Sequence, residues 1–125
     1  MEIKTGYFAK GKKYKELGYT IVSVARFNPR GWTGIHLIEL APQARLVFAY
    51  KEGQLSQEDF IDKYREYLSR NVYLIKSTID DLKKFNVDKV VLCCYEKPSD
   101  FCHRHELAKF LNDNFNYNIE ELITD

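Results

Sequence analysis

Lys89-Val90-Val91-Leu92-Cys93-Cys94-Tyr95 decides the fold. After its lysine the stretch is apolar without interruption. A strand with one wet face would alternate apolar and polar residues, so a continuous run predicts a central strand covered on both faces, as in a parallel sheet. Pro98 then marks a turn, and Ser99 or Asp100 is placed to cap a helix running to about Asn114.

Upstream the pattern changes to a helical period. Leu74, Ile75, Thr78, Ile79, Leu82 and Phe85 form one apolar stripe, with Asn86 suited to close the helix. Before it, Ser56 reads as an N-cap with Glu58 and Asp59 in the first turn, followed by Phe60, Ile61, Tyr64, Tyr67 and Leu68. A shorter helix is predicted over Pro42 to Lys51, ended by Gly53.

Glu2 to Ala9 and Tyr19 to Ala25 read as strands, with a polar loop and a helical turn between them. Arg26 to Pro42 holds Pro29, Gly31 and Gly34 and reads as a long loop, a class of segment that is often functional. Tyr117 to Ile119 reads as a short edge strand and Glu120 to Asp125 as a solvated tail.

This order implies right-handed crossovers. It predicts one α/β domain over residues 1–125: a small Rossmann-like three-layer fold, with a mostly parallel sheet and helices on both faces. Ligands of such sheets sit beyond the carboxyl ends of the strands. Two segments lie there, the loop from Arg26 and the turn from Glu96.

Composition narrows the partners. With 19 basic and 18 acidic residues among 125, the net charge of +1 supplies no global field toward DNA or an acidic membrane. Lys10, Lys12, Lys13 and Lys15 remain a local basic patch, so nucleic-acid contact is a weakly supported alternative to a solvated face. No secretory leader opens the sequence and no apolar run spans a bilayer. Three cysteines cannot all pair within one chain, and the expectation is free thiols in a cytoplasmic protein. The oligomeric state is not legible.

The chemistry concentrates in Cys94 to Arg104. His103 and Arg104 fall in the first turn of the last helix, where unpaired backbone N–H groups and the positive dipole end favour an anion. His105 aligns with Lys109 and Asn112 and is expected to face solvent. Cys102, at the same helix start, is a candidate nucleophile, although adjacency alone does not pair it with His103. Glu96, just past the strand end, is a candidate general acid or base. The same residues also admit a purely structural account: Cys93, Cys94 and Cys102 as core thiols, His103 bonded to a loop carbonyl, and Arg104 paired with Glu96. Cys94, Cys102, His103 and His36 could in principle surround zinc, but no C-x-x-C occurs and Cys93 and Cys94 face opposite ways, so no metal and no cofactor is assigned.

Cys94-Tyr95-Glu96 followed by Cys102-His103-Arg104 resembles the signature of domain-of-unknown-function family 488 (DUF488). Tyr7-Phe8-Ala9 resembles the opening strand of a phage and bacterial branch, and Ser23-Val24-Ala25-Arg26 with Pro29, Leu40-Ala41-Pro42, Ala49-Tyr50-Lys51, Phe60 and Tyr64 extend the resemblance along the chain. Two positions depart: His105 stands where the family often has serine, and Ala25 where it often has an acidic residue. The resemblance implies a compact Rossmann-like domain in which the two arginine-bearing strand ends meet. It carries no established reaction.

These readings converge on an enzyme acting on a nucleotide, nucleoside or nucleic-acid base. Its catalytic candidates are Glu96, Cys102 and His103. Its ligand-binding candidates are Arg26, Arg104, Trp32, Cys94 and Tyr95, with Arg26 and Arg104 on a phosphate and Trp32 stacked on a base. The alternative is a non-catalytic module that sequesters a small phosphorylated ligand or binds a protein partner.

Overall fold

The computed structural model describes residues 1–124. Its centre is β4 (Lys89–Cys94), buried from Val90 onward as the apolar run predicts. β4 lies between β1 (Glu2–Tyr7) and β2 (Thr20–Ser23). β3 (Ile35–His36) and β5 (Glu120–Glu121) complete the sheet, in the order β3-β2-β4-β1-β5, and every pairing is parallel. Tyr7 and Ser23 align with Cys94 and Cys93, so three strands deliver their carboxyl ends to one rim.

The two faces are unequal. Val90 and Leu92 point into the larger core, shared with Tyr64 and Leu68 of α3 (Gln57–Arg70), Ile75 and Ile79 of α4 (Val72–Asp80), and Leu107 and Leu111 of α5 (His103–Phe115). Val91 and Cys93 point to the other face, against Tyr14 of α1 (Gly11–Glu16), Tyr19 and Ile21. α2 (Ala44–Lys51) packs on α3 at the rim.

Sequence signals explain the boundaries. Ser56 caps α3 by accepting a hydrogen bond from the Asp59 amide, 3.1 Å away. Asn86 and Asn116 adopt left-handed conformations after the helical stretches they end. Gly6 is required by contact: a Cβ there would lie 2.6 Å from the Tyr14 hydroxyl and 2.7 Å from Val91 Cγ1. The hydroxyls of Tyr64 and Tyr67 donate to the carbonyls of Leu40 and Glu39, which ties α3 to the segment after β3.

Several expectations need correction. The loop from Arg26 contains β3 and a 3-10 turn at Ile38–Leu40. The last helix is capped by neither Ser99 nor Asp100; a turn closed by Asp100 N–H on Lys97 O precedes it, and Cys102 is its N-cap residue. The final strand is Glu120–Glu121 rather than Tyr117 to Ile119, so those two glutamates are not a solvated tail; Asp125 lies outside the described residues. No helix among the described residues is long and apolar enough to cross a membrane.

Candidate functional site

Beyond the carboxyl ends of β2 and β4 the chain leaves a cavity of about 520 Å³. Ala25, Arg26 and Phe27 line one side and Cys94, Tyr95 and Glu96 another. α2 adds Val47, Tyr50 and Lys51, and the start of α5 adds Cys102 and His103, with Phe101 beside them. The two segments singled out from the sequence therefore meet across one opening.

His103 joins them. Its Nε2 donates to the carbonyl of Val24 at 2.8 Å, which orients the ring and leaves Nδ1 as the lone-pair nitrogen. Its ring packs edge-on against Tyr64, with centroids 5.5 Å apart. Burial drives its pKa down to about 4, assisted by the charges of Arg104 and His105 and opposed by the Val24 hydrogen bond. The imidazole is therefore neutral at neutral pH, and Nδ1 lies 4.0 Å from Cys102 Sγ.

Cys94 and Cys102 are joined as a disulfide across the rim, with Cα atoms 7.3 Å apart. This corrects the expectation of three free thiols. Cys93 alone is free, and burial pushes its thiol up to about 12, opposed by the charge of Arg104.

Arg104 does not face the cavity. Its guanidinium is fully buried, and Nε and Nη2 grip Glu121 at 3.0 and 2.8 Å. Nη1 donates to the Glu96 carbonyl at 2.7 Å and to Cys94 Sγ at 3.2 Å. The expected phosphate contact is thus replaced by a structural pair, and its carboxylate is Glu121 rather than Glu96. Burial raises the Glu121 carboxyl, but hydrogen bonds from Arg104 and Thr5 and the charge of Arg104 outweigh it and hold the group below the ordinary carboxylate range.

Trp32 is also displaced from its expected role. It packs against Phe8, 5.4 Å between centroids, in the cluster containing Tyr14 and Tyr19, and does not line the cavity. Tyr95 is half-exposed at the rim; its hydroxyl donates to Phe27 O at 2.8 Å and its ring meets Phe8 at 4.9 Å. His105 is partly buried rather than solvated, and its Nε2 has no partner among the described residues.

Arg26 lines the cavity. Its Nε donates to the Pro42 carbonyl at 2.8 Å, holding the guanidinium at the cavity wall. Lys51 is the cation the sequence reading missed. The signal was the spacing Val47, Tyr50, Lys51, one face of α2. Among the described residues neither cation is paired with a carboxylate. His36 is occupied elsewhere: Nε2 donates to Ala25 O at 2.7 Å and Nδ1 accepts from Asn28 Nδ2 at 3.0 Å, which pins the loop after β2.

A second groove, about 650 Å³, runs between α2 and α3 along Arg45, Lys63 and Arg70. It contains none of the candidates and no cysteine or histidine.

The family model DUF488-N3a, described as the active DUF488-N3 subclade, matches residues 8–115. The chain belongs to this family. No curated protein and no solved structure matches it. The DUF488-N3a match takes in Arg26, Lys51, Cys94 to Glu96 and Cys102 to Arg104, and it stops before Glu121, the partner of the buried arginine.

Proposed function

We propose that the protein is an enzyme acting on a nucleotide, nucleoside or nucleic-acid base bound in the 520 Å³ cavity. One observation carries the reading: two unpaired cations, Arg26 and Lys51, share an opening with aromatic walls and with Glu96, Cys102 and His103. The cations suit a phosphate, which forms charge-assisted bonds with both side-chain types. Phe27, Tyr50, Tyr95 and Phe101 offer the apolar surface that a base needs. Glu96 and the neutral His103 supply groups for proton transfer, and Cys102 supplies a thiol once its disulfide with Cys94 is reduced. The family's description as an active subclade supports catalysis over storage.

A panel of nucleotides, nucleosides, bases and inorganic phosphate tests the proposal by thermal shift, followed by product analysis. The expected result is stabilisation by a phosphate-bearing compound, lost in Arg26→Ala and weakened in Lys51→Ala, together with conversion of that compound. Absence of any response would sink the reading. A ligand that binds and is recovered unchanged would identify a sequestering module instead.

A further inference from the structure

Cys94, Cys102 and His103 meet where β4 ends and α5 begins, and their ligating atoms all lie within 4.8 Å of one another. We propose that the reduced protein holds one soft divalent metal ion of the zinc class through Cys94 Sγ, Cys102 Sγ and His103 Nδ1, with its remaining position open to the cavity. This deepens the reading of the cavity as a reaction site, because it assigns what Cys102 and His103 do there.

Several observations converge. The Nε2 bond to Val24 O leaves Nδ1 unprotonated and fixes the ring. Metal-bound histidines characteristically donate their other nitrogen to a carbonyl or carboxylate in this way. Cys102 has extended backbone, φ −151° and ψ 141°, whereas His103 is the first helical residue. Two adjacent side chains can therefore turn to one side, which they could not do within the helix. The Cα atoms of Cys94 and Cys102 stand 7.3 Å apart, wider than the roughly 4.4–6.8 Å usual across a disulfide. Two thiolates sharing an ion, each about 2.3 Å from it, sit further apart than bonded sulfurs and suit that spacing. Arg104 Nη1 donates to Cys94 Sγ at 3.2 Å and fixes the position of that sulfur.

The donor set also indicates the kind of site. Two sulfurs and one imidazole leave a tetrahedral ion one short, as in zinc sites that act on substrate rather than those that only brace a fold. All three ligands line the cavity, so that position opens toward whatever Arg26 and Lys51 hold. The ion would polarise a substrate oxygen or activate a water. Cys102 then acts as a ligand and not as the nucleophile.

The disulfide is the metal-free oxidised form. A thiol reductant gives it two electrons and two protons and becomes a disulfide itself; Cys94 and Cys102 become thiols. Metal binding then releases both protons to solvent and leaves the neutral imidazole unchanged. Cys93, on the opposite sheet face, takes no part.

The test needs no substrate. The full chain, reduced and dialysed against zinc or cobalt, should retain one equivalent per chain by elemental analysis. The cobalt form should show a thiolate-to-metal charge-transfer band. Cys102→Ala and His103→Ala should lose the ion or bind it at least tenfold more weakly, and Cys93→Ala should not. Because a core substitution can disturb folding, wild-type protein provides a second measurement: added zinc should protect Cys94 and Cys102 from alkylation. Absence of metal from reduced wild type would overturn the proposal, as would metal retained equally by the ligand variants or alkylation indifferent to zinc. Any of these results would leave nucleotide binding by Arg26 and Lys51 standing, and a failed ligand screen would leave the metal result standing.

Discussion

Arg104 and Glu121 form a two-pronged ion pair, 3.0 Å from Nε to Oε1 and 2.8 Å from Nη2 to Oε2, with the guanidinium wholly shielded from solvent. The pair fastens the start of α5 to the last strand and, through Nη1, to the Glu96 carbonyl. It holds the corner on which the cavity is built.

Arg104→Ala should therefore act on stability first. Removing one member of a buried pair costs about 3–5 kcal/mol, and the partial exposure of Glu121 puts the loss near the lower end. Arg104→Lys should recover little, since a single ammonium cannot reproduce the fork or reach Glu96 O as well. Urea denaturation of the three proteins checks this; unchanged midpoints would contradict it.

The same pair sets an acid limit. The folded-state pKa of Glu121 lies below its unfolded value, so its contribution is fully present above the ordinary carboxylate range. It is lost as pH falls through the depressed folded value. Glu121→Gln should be less stable than wild type at neutral pH, and the gap should shrink on acidification. Denaturation midpoints measured from pH 7 down to about 3 would show the convergence; a constant gap would refute it.

Gly6→Ala should destabilise by about 1–3 kcal/mol, because the new methyl meets the Tyr14 ring and Val91 inside the sheet's smaller core. Gly11→Ala is the matched control. Nothing lies within 4 Å of a Cβ there, and the residue is helical, so stability should hold or rise by about 0.4–1 kcal/mol. Thermal melts of the pair separate a packing effect from a generic loss of glycine.

Cysteine labelling should follow the sheet. Without reductant, native protein should take up no alkylating agent, since Cys94 and Cys102 are paired and Cys93 is buried with its thiol pushed up to about 12. After reduction, Cys102 and Cys94 should label, and Cys93 only on unfolding. Peptide mass mapping reads the order, and early labelling of Cys93 would place it wrongly.

The sequence showed the frame well where one physical signal dominated. The unbroken run from Val90 fits a doubly covered strand, and the Ser56 cap and the αL asparagines follow from local backbone chemistry. It put the candidate residues at the rim because strand ends and helix starts are themselves legible. It failed where long-range partners decide. Arg104 looks the same in a phosphate grip and in a buried pair; the difference is Glu121, in a segment too short and too charged to announce itself as a strand. Trp32 lies in the expected loop, but Phe8 and Tyr14, remote in sequence, draw it to the other side. Lys51 was hidden in plain view as one more lysine at a helix end, where the macrodipole alone would explain it.

The position of β4 also shapes how the molecule can be made. β1 and β2 each form a ladder with β4 and none with each other. As the chain emerges from a ribosome, β1 has no partner and β2 only the two residues of β3 until residues 89–94 appear, and both wait with their inner edges open. Assembly is thus delayed to a late, non-local event, in which one short segment threads between two waiting neighbours and joins the two halves of the sheet.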